Sequence, residues 1–374
     1  MKRVLFIFGT RPEAIKLCPV IRHMRASGRG LEVRVCVTAQ HRGMLDQVLE
    51  CFEIRPDCDL DLMQPGQTLA ETTARVLTAL DPVLVREAPA MAVVQGDTTT
   101  TMVGAMAAFY RRIPVAHVEA GLRTRDLAQP FPEEFNRVVA TRAAALHFAP
   151  TEWARRNLLA EGVSADSIFV TGNTGIDAIL EVAGALEQGR LQPPAWPAWP
   201  WLDPTCKLIV VTAHRRESFG EGIERICGAL VELAARSDVQ IVYPVHRNPN
   251  VLDPVTRRLD GHPRIVLTEP LEYVSFADLM RRAYLIVTDS GGIQEEAPSL
   301  GKPVLVLRER TERPEAVEAG TVKLVGSDPR KIVAEAAWLL DDAEEYRRRS
   351  RIHNPYGDGR ASERITAVIA DYPR

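Results

Sequence analysis

Short apolar runs alternate with longer amphipathic segments from Val4-Leu5-Phe6-Ile7-Phe8 through to Val322-Lys323-Leu324-Val325. Parallel strands need crossover connections, and strands covered on both faces by helices have no polar side, so this alternation specifies an α/β chain with parallel sheets. It predicts strands over 4–8, 33–38, 91–95, 113–118, 145–149 and 168–171, and again over 207–212, 239–244, 264–268, 284–288, 303–307 and 322–325. Two sets of six fit two doubly wound units better than one sheet of twelve. A length of 374 residues is likewise too long for one ordinary core. Between the sets, the prolines of Gln192-Pro193-Pro194-Ala195-Trp196-Pro197-Ala198-Trp199-Pro200-Trp201 forbid regular structure. The hinge is expected there, or just before the helical stretch 174–186.

Hydrophobic content of 46% and charged content of 25% describe a soluble, enzyme-like globular protein. A formal net charge of −3 argues against bulk binding to nucleic acid or a membrane surface, while leaving room for a local anion pocket. The six cysteines, Cys18, Cys36, Cys51, Cys58, Cys206 and Cys227, show no CxxC spacing, so neither a metal site nor a disulfide framework is expected. Reduced thiols in a cytoplasmic protein fit this usage. The apolar run after Met1-Lys2-Arg3 is too short for a signal peptide and ends in Gly9-Thr10-Arg11-Pro12-Glu13, so it reads as a buried first strand. No other stretch is long and apolar enough to span a bilayer.

Open parallel sheets bind ligands at the carboxyl ends of their strands. Those positions are polar throughout: Arg11 and Glu13, Gln40 and His41, Asp97, and Glu119 in the first set; His214 to Glu217, His246-Arg247 and Ser290 in the second. Gly9-Thr10-Arg11-Pro12-Glu13-Ala14-Ile15-Lys16 leaves a strand and starts a helix with proline at its first position. It has neither the GxGxxG nor the GxxxxGK[ST] glycines, so dinucleotide and P-loop readings fall. Arg11 and Lys16 are suited to phosphate, the weaker alternative being solvated charges on an ordinary helix. Asp97 in Gln95-Gly96-Asp97-Thr98 reads on its own as a helix cap, and Glu133 and Glu134 as acids favoured by a helix dipole. Glu119 is harder to explain as structural, because it ends a strand on the side of His117.

In the second set, Thr288-Asp289-Ser290-Gly291-Gly292-Ile293-Gln294-Glu295-Glu296 reads as strand, glycine turn and helix start. Bare N–H groups and a positive dipole end suit a phosphate there; acids one turn in suit the hydroxyls of a ribose. A capped helix with dipole-favoured acids explains the same residues equally well. His214-Arg215-Arg216-Glu217 is the densest polar cluster after a buried strand and favours an anion site with an acid/base group. Arg308, Arg310 and Arg313 extend the positive lining or lie on the surface, and Phe276 reads first as core.

Taken together, GTRPEAIK at 9–16, TAQH at 38–41, QGDTTT at 95–100, HVEAGLRT at 117–124, PEEFNR at 132–137, TGNTGIDA at 171–178, TAHRRE at 212–217, YPVHRNP at 243–249 and TDSGGIQEEAPSLGKPVLVLRERTERPEAVEAG at 288–320 resemble the non-hydrolysing UDP-N-acetylglucosamine 2-epimerases. The motifs span most of the chain in order. The resemblance implies a glycosyltransferase-B-like α/β fold of two doubly wound Rossmann-like domains with an interdomain active-site cleft. The domains are expected at 1–172 plus about 358–374, through a returning C-terminal helix, and at 173–357. It further implies reversible C2 epimerisation of UDP-GlcNAc to UDP-ManNAc without cofactor or metal, by elimination of UDP to a 2-acetamidoglucal and re-addition. A cytoplasmic homodimer supplying polysaccharide biosynthesis is the corresponding expectation. The alternatives are a glycosyltransferase of the same fold, or a hydrolysing or diacetamido-sugar variant of the epimerase.

Carried over motif by motif, the resemblance makes Asp97, Glu119 and Glu133 the acid/base candidates and puts His214 beside the leaving diphosphate. It assigns the diphosphate to Arg11, His214 and the Ser290-Gly291-Gly292 backbone, the ribose to Glu296, the uridine region to Phe276, and the sugar end to Lys16 and Arg313. Gln40, His41, Gln67, Glu134, Arg215 and His246 match a second UDP-GlcNAc site used for allosteric activation in some members. Gly43 and Gly66 stand where the regulated members carry a glutamine and an arginine, so an obligatory activator is not implied.

Overall fold

A computed structural model describes residues 1–38, 42–64, 66–193, 202–311 and 313–373. The chain forms two compact units, Met1–Ala178 with Tyr356–Arg374, and Ile179–Pro355. In the first, β1 (Lys2–Phe8), β2 (Leu31–Val37), β3 (Cys58–Asp59), β4 (Met91–Gln95), β5 (Val115–Val118), β6 (Leu146–Ala149) and β7 (Ile168–Val170) form a parallel sheet in the order β3-β2-β1-β4-β5-β6-β7. In the second, β8 (Lys207–Thr212), β9 (Val239–Pro244), β10 (Ile265–Thr268), β11 (Leu285–Thr288), β12 (Val304–Val306) and β13 (Val322–Leu324) form another in the order β10-β9-β8-β11-β12-β13. All twelve expected strands are present. The addition is β3, a two-residue edge strand too short to leave an apolar run.

The strands are apolar because helices cover both faces. Val4, Leu5, Phe6, Ile7 and Phe8 of β1 are all fully buried, as are Ile209, Val210 and Val211 of β8. In each sheet the strand order reverses beside the first strand of the set, between β1 and β4 and between β8 and β11. Connections depart to opposite faces there and leave a crevice at the carboxyl ends, the usual ligand position of such folds.

The first unit is closed by residues distant in sequence. Helix Ala361–Asp371 packs on helix Arg11–Ala26. Lys2 Nζ donates to the carbonyls of Ile369 (2.7 Å) and Tyr372 (2.6 Å), while Asp177 accepts from the N–H groups of Ala361 (3.2 Å) and Ser362 (2.7 Å). Asn173 N–H donates to Tyr356 O at 2.7 Å. Gly172 (φ 90°) and Gly357 (φ 144°), both at positive φ, lie in contact there, a Cβ on Gly357 standing 3.5 Å from Gly172 Cα.

Candidate active site

Gly9-Thr10 leads from β1 into helix Arg11–Ala26, so Pro12 is the second helical residue and not the first. The helix is fastened by a capping box: Thr10 Oγ1 accepts from Glu13 N–H (3.4 Å), and Glu13 Oε2 accepts from Thr10 N–H (2.7 Å). Glu13 reaches further, taking Gly9 N–H at 3.0 Å and the hydroxyls of Thr98 at 2.7 Å and Thr101 at 3.2 Å. Burial pushes its carboxyl up, against the pull of these donors. One buried acid thereby ties the loop that bears Arg11 to the loop that bears Asp97. Arg11 itself is half-buried at the start of the helix.

Asp97 is not the helix cap that its position suggested. Thr98 caps helix Thr99–Tyr110, accepting from Thr101 N–H at 3.0 Å. Asp97 Oδ2 is left to pair with Arg137 Nη2 at 2.9 Å, and its carbonyl accepts from Asn136 Nδ2 at 2.9 Å. The preceding Gly96 is held by its own N–H to Val118 O (2.9 Å) and by His117 Nε2 on its carbonyl (2.7 Å). Burial pushes the His117 imidazole down to about 3, so the ring is neutral and must donate through Nε2. Burial pushes the Asp97 carboxyl up; the Arg137 guanidinium opposes this, and the charges of Glu119 and Glu133 add to it.

Glu119 leaves β5 in the left-handed region at φ 63°, a conformation that costs a non-glycine residue about 1 kcal/mol or more and clusters at functional sites. Its carboxylate is gripped on both oxygens. Lys16 Nζ pairs with Oε1, and Gln95 Nε2 donates to Oε2 at 2.5 Å. Gly96, in the left-handed region at φ 73°, lies against it, and a Cβ there would meet Oε2 in ordinary contact at 3.5 Å. Glu133 and Glu134 open helix Glu133–Ala143 in its first turn. Glu133 is half-buried. Glu134 is buried, with Oε1 and Oε2 on Thr124 N–H at 3.1 Å, Oε1 on Arg125 N–H at 2.9 Å, and Arg137 Nε 3.5 Å away. Gln67 accepts from Gln64 N–H at 2.9 Å. Gln40 and His41 lie outside the described residues.

In the second unit the crevice between β8 and β11 is organised by Asp289, which is fully buried. Its Oδ2 accepts from the N–H groups of His214 (2.6 Å) and Arg215 (2.7 Å), and its Oδ1 lies 3.2 Å from His214 Nδ1. The His214 ring stacks on His246 with centroids 5.4 Å apart and planes 15° from parallel. Burial pushes the His214 imidazole down, Asp289 pulls it up, and Arg215 and His246 push it down further. Ser290 precedes helix Gly291–Glu296 without a side-chain capping bond. The guanidinium of Arg313 lies across Gly291, where a Cβ would stand 2.7 Å from Arg313 Cζ, and Arg313 Nε donates to Glu295 Oε1 at 2.8 Å. Glu296 is half-buried, with Oε1 4.0 Å from the Cβ position of Gly292, and Phe276 is half-buried on helix Tyr273–Arg282. Arg308 pairs with Glu217 at 2.6 Å.

The first unit therefore gathers Lys16, Asp97, Glu119 and Glu133, and the second gathers His214, Arg215, His246, Ser290, Gly291 and Arg313. Sequence reasoning placed Glu13 at a strand end and Asp289 in a strand-to-helix turn without giving either a role, and gave none to Gln95, Asn136 and Arg137; these five hold the side chains in place. Most of their partners are distant in the chain, so no local pattern marks them; the signals were the T-x-x-E capping box of Glu13 and the strand-end acid at Asp289. Among the described residues no group of three or more His, Cys, Asp or Glu side chains is placed to hold a metal ion, and no helix is long and apolar enough to cross a membrane.

The sequence profile described as UDP-N-acetylglucosamine 2-epimerase matches residues 23–370. The chain is 56% identical over 369 residues to the UDP-N-acetylglucosamine 2-epimerase of Escherichia coli K12, covering 98% of each chain. Among solved structures it resembles the UDP-GlcNAc 2-epimerase of Neisseria meningitidis bound to UDP-GlcNAc, with a TM-score of 0.89, 47% identity and coverage of 99% of this chain and 100% of that one. It also resembles the Methanocaldococcus jannaschii UDP-GlcNAc 2-epimerase in complex with UDP-GlcNAc and UDP, with a TM-score of 0.78, 34% identity and coverage of 98% and 99%.

Proposed function

The chain belongs to the UDP-N-acetylglucosamine 2-epimerase family, with its two Rossmann-like units in the glycosyltransferase-B-like class, and from that membership we propose how its residues carry the reaction. The enzyme interconverts UDP-GlcNAc and UDP-ManNAc. A base takes the hydrogen from C2 while the C1–O bond breaks and UDP leaves with the bonding pair, giving 2-acetamidoglucal. UDP then re-adds at C1 as a proton arrives at C2 from the opposite face.

The observation that carries this reading is the set of carboxylates at the crevice of the first unit. The C2 hydrogen is weakly acidic, so its removal needs a positioned carboxylate of raised basicity, and the return step needs an acid on the other face. Asp97, pushed up by burial, Glu119, fixed by Lys16 and Gln95, and Glu133, close enough to act on Asp97, are that set. The departing diphosphate gains a negative charge, which Arg11, His214 and the Ser290-Gly291-Gly292 backbone receive. Arg313 lies over Gly291, which supports a place for it beside that diphosphate as well as at the sugar. Lys16 serves the sugar end, Glu296 the ribose hydroxyls and Phe276 the uridine region. Arg215 and His246, beside His214, and Gln67 and Glu134 are the described members of a candidate activator site. A cytoplasmic homodimer supplying polysaccharide synthesis completes the proposal.

The test is incubation with UDP-GlcNAc in deuterated water. UDP-ManNAc should form with deuterium at C2 in both sugars, and Asp97→Asn, Glu119→Gln and Glu133→Gln should each slow the exchange by about 10²-fold or more. UDP-ManNAc without deuterium would overturn the elimination, and phosphorus NMR showing net release of UDP would indicate hydrolysis.

A further inference from the structure

We propose that Asp289 is the positioning residue for His214, holding the imidazole in the tautomer with hydrogen on Nδ1 and presenting Nε2 to the departing diphosphate. This rests on the role given to His214 above. The two oxygens of Asp289 have different duties. Oδ2 is saturated by the N–H groups of His214 and Arg215, at 2.6 and 2.7 Å, which locks the carboxylate to the very turn that carries the histidine. Oδ1 is buried and takes no aligned hydrogen bond among the described residues, yet His214 Nδ1 is 3.2 Å away. A buried carboxylate oxygen left without a donor carries an uncompensated desolvation penalty, and a ring with its Nδ1 lone pair turned to that oxygen would add repulsion to it. Hydrogen on Nδ1 removes both costs. Catalytic hydrogen bonds are commonly bent before substrate arrives and align in the complex, so the present misalignment leaves this assignment intact.

The surroundings hold Asp289 and the ring in register. Asp289 N–H donates to Thr212 O at 3.1 Å, and the flanking Thr288 Oγ1 contacts Thr212 Oγ1 at 2.6 Å and accepts from Ser290 N–H at 3.0 Å. The carboxylate is thus fixed between β8 and β11. His246, itself anchored through Nδ1 by Asn248 N–H at 3.1 Å, stacks on the opposite ring and fixes its plane. Three ionisable neighbours act on His214: Asp289 favours the imidazolium, while Arg215 and His246 disfavour it. When Nε2 carries a proton to a diphosphate oxygen as the C1–O bond breaks, Asp289 stabilises the cation before transfer and retains the neutral Nδ1–H form after it. When UDP re-adds at C1, Nε2 takes that proton back from the diphosphate oxygen, and the ring is reset.

The link is read first in the unaltered protein. Nitrogen NMR of histidine-labelled enzyme, with His214 assigned by its loss in His214→Gln, should show neutral His214 protonated on Nδ1; protonation on Nε2 overturns the proposal whatever any variant does. In Asp289→Asn the amide oxygen keeps the two backbone donors and the NH2 group turns to Nδ1, so the ring should switch to the Nε2–H tautomer. The kcat for epimerisation should then fall by about 10²-fold with KM changed less than about threefold, and the alkaline limb of the pH profile should move to lower pH. Rescue of neither tautomer nor rate is expected from added salt. In the His214→Gln background, Asp289→Asn should cost less than about threefold, because its effect passes through the ring. An unchanged kcat in Asp289→Asn, or an undiminished cost in that background, would overturn the proposal. Full activity in His214→Gln would instead refute the role given to His214, leaving the tautomer to be judged by NMR alone.

Discussion

Gly291→Ala offers a sharp test of the second unit, because the structure states what the added methyl group meets. The new Cβ would stand 2.7 Å from Cζ, 2.9 Å from Nε and 3.0 Å from Nη1 of Arg313. Carbon atoms rest at about 3.5–4.0 Å, so the guanidinium must retreat by about 1 Å. Its Nε bond to Glu295 Oε1, now 2.8 Å, would pass beyond hydrogen-bond range, and a bond between charged groups is worth about 1.5–3 kcal/mol. Alanine regains about 0.5–1 kcal/mol over glycine in a helix, leaving a net loss of about 1–2 kcal/mol. Urea unfolding followed by circular dichroism measures it. The control is Gly292→Ala, whose Cβ meets only Glu296 Oε1 at 4.0 Å and should stabilise by the same about 0.5–1 kcal/mol. The decisive arm is Arg313→Ala: with the guanidinium gone, Gly291→Ala should become neutral or slightly stabilising. If the two substitutions are additive, the clash is not with Arg313 and the reasoning fails.

Other consequences can be measured with single variants. In Arg137→Leu the Asp97 carboxyl loses the guanidinium that holds it down against burial, so it rises further; the acidic limb of the activity profile should move to higher pH, and an unmoved limb would show that ionisation of Asp97 does not control the rate. Glu296→Ala should weaken UDP binding by about 10- to 100-fold in calorimetry, the worth of a hydrogen bond to a charged group, and an unchanged affinity would remove Glu296 from the ribose. The Glu345 carboxyl is held down at about 2 by hydrogen bonds from Arg348 and Arg349, below its ordinary 4.5. That lowered value contributes stability above pH 4.5 which is lost as the pH falls toward 2, so Glu345→Gln should flatten the acid limb of the second unit's urea midpoint against pH.

Strands buried on both faces announce themselves by composition, which is why β1, β4, β8 and β11 were legible and the two-residue β3 was not. Positions at strand ends were legible for the same reason, since polar residues there interrupt an apolar run. What the side chains do there was not. Thr98 and Asp97 are adjacent and both able to cap, and only tertiary partners decide that Thr98 caps while Asp97 faces Arg137. The left-handed backbone of Glu119 has no signature in HVEAG, because a glutamate gives no hint of positive φ. Gly291 was read as a provider of bare N–H groups; its close neighbour, Arg313, lies 22 residues further along the chain, at a distance no local pattern reports.

The bonds from Lys2 to Ile369 and Tyr372 set an order of events for a growing chain. Every residue of the second unit is present once Pro355 has been added, so that unit has its whole sheet available to fold. The first unit, although its β-strands precede the second in the chain, still lacks the helix that covers Arg11–Ala26 and the backbone that caps onto Asp177. Its opening strand therefore waits, without the carbonyls of Ile369 and Tyr372 for Lys2 and with an uncovered helix face, while 177 residues of another unit are inserted, running from 179 to 355. Contacts that bridge such a separation are slow to form, and synthesis interrupted before residue 361 should leave a folded second unit joined to an incomplete first one.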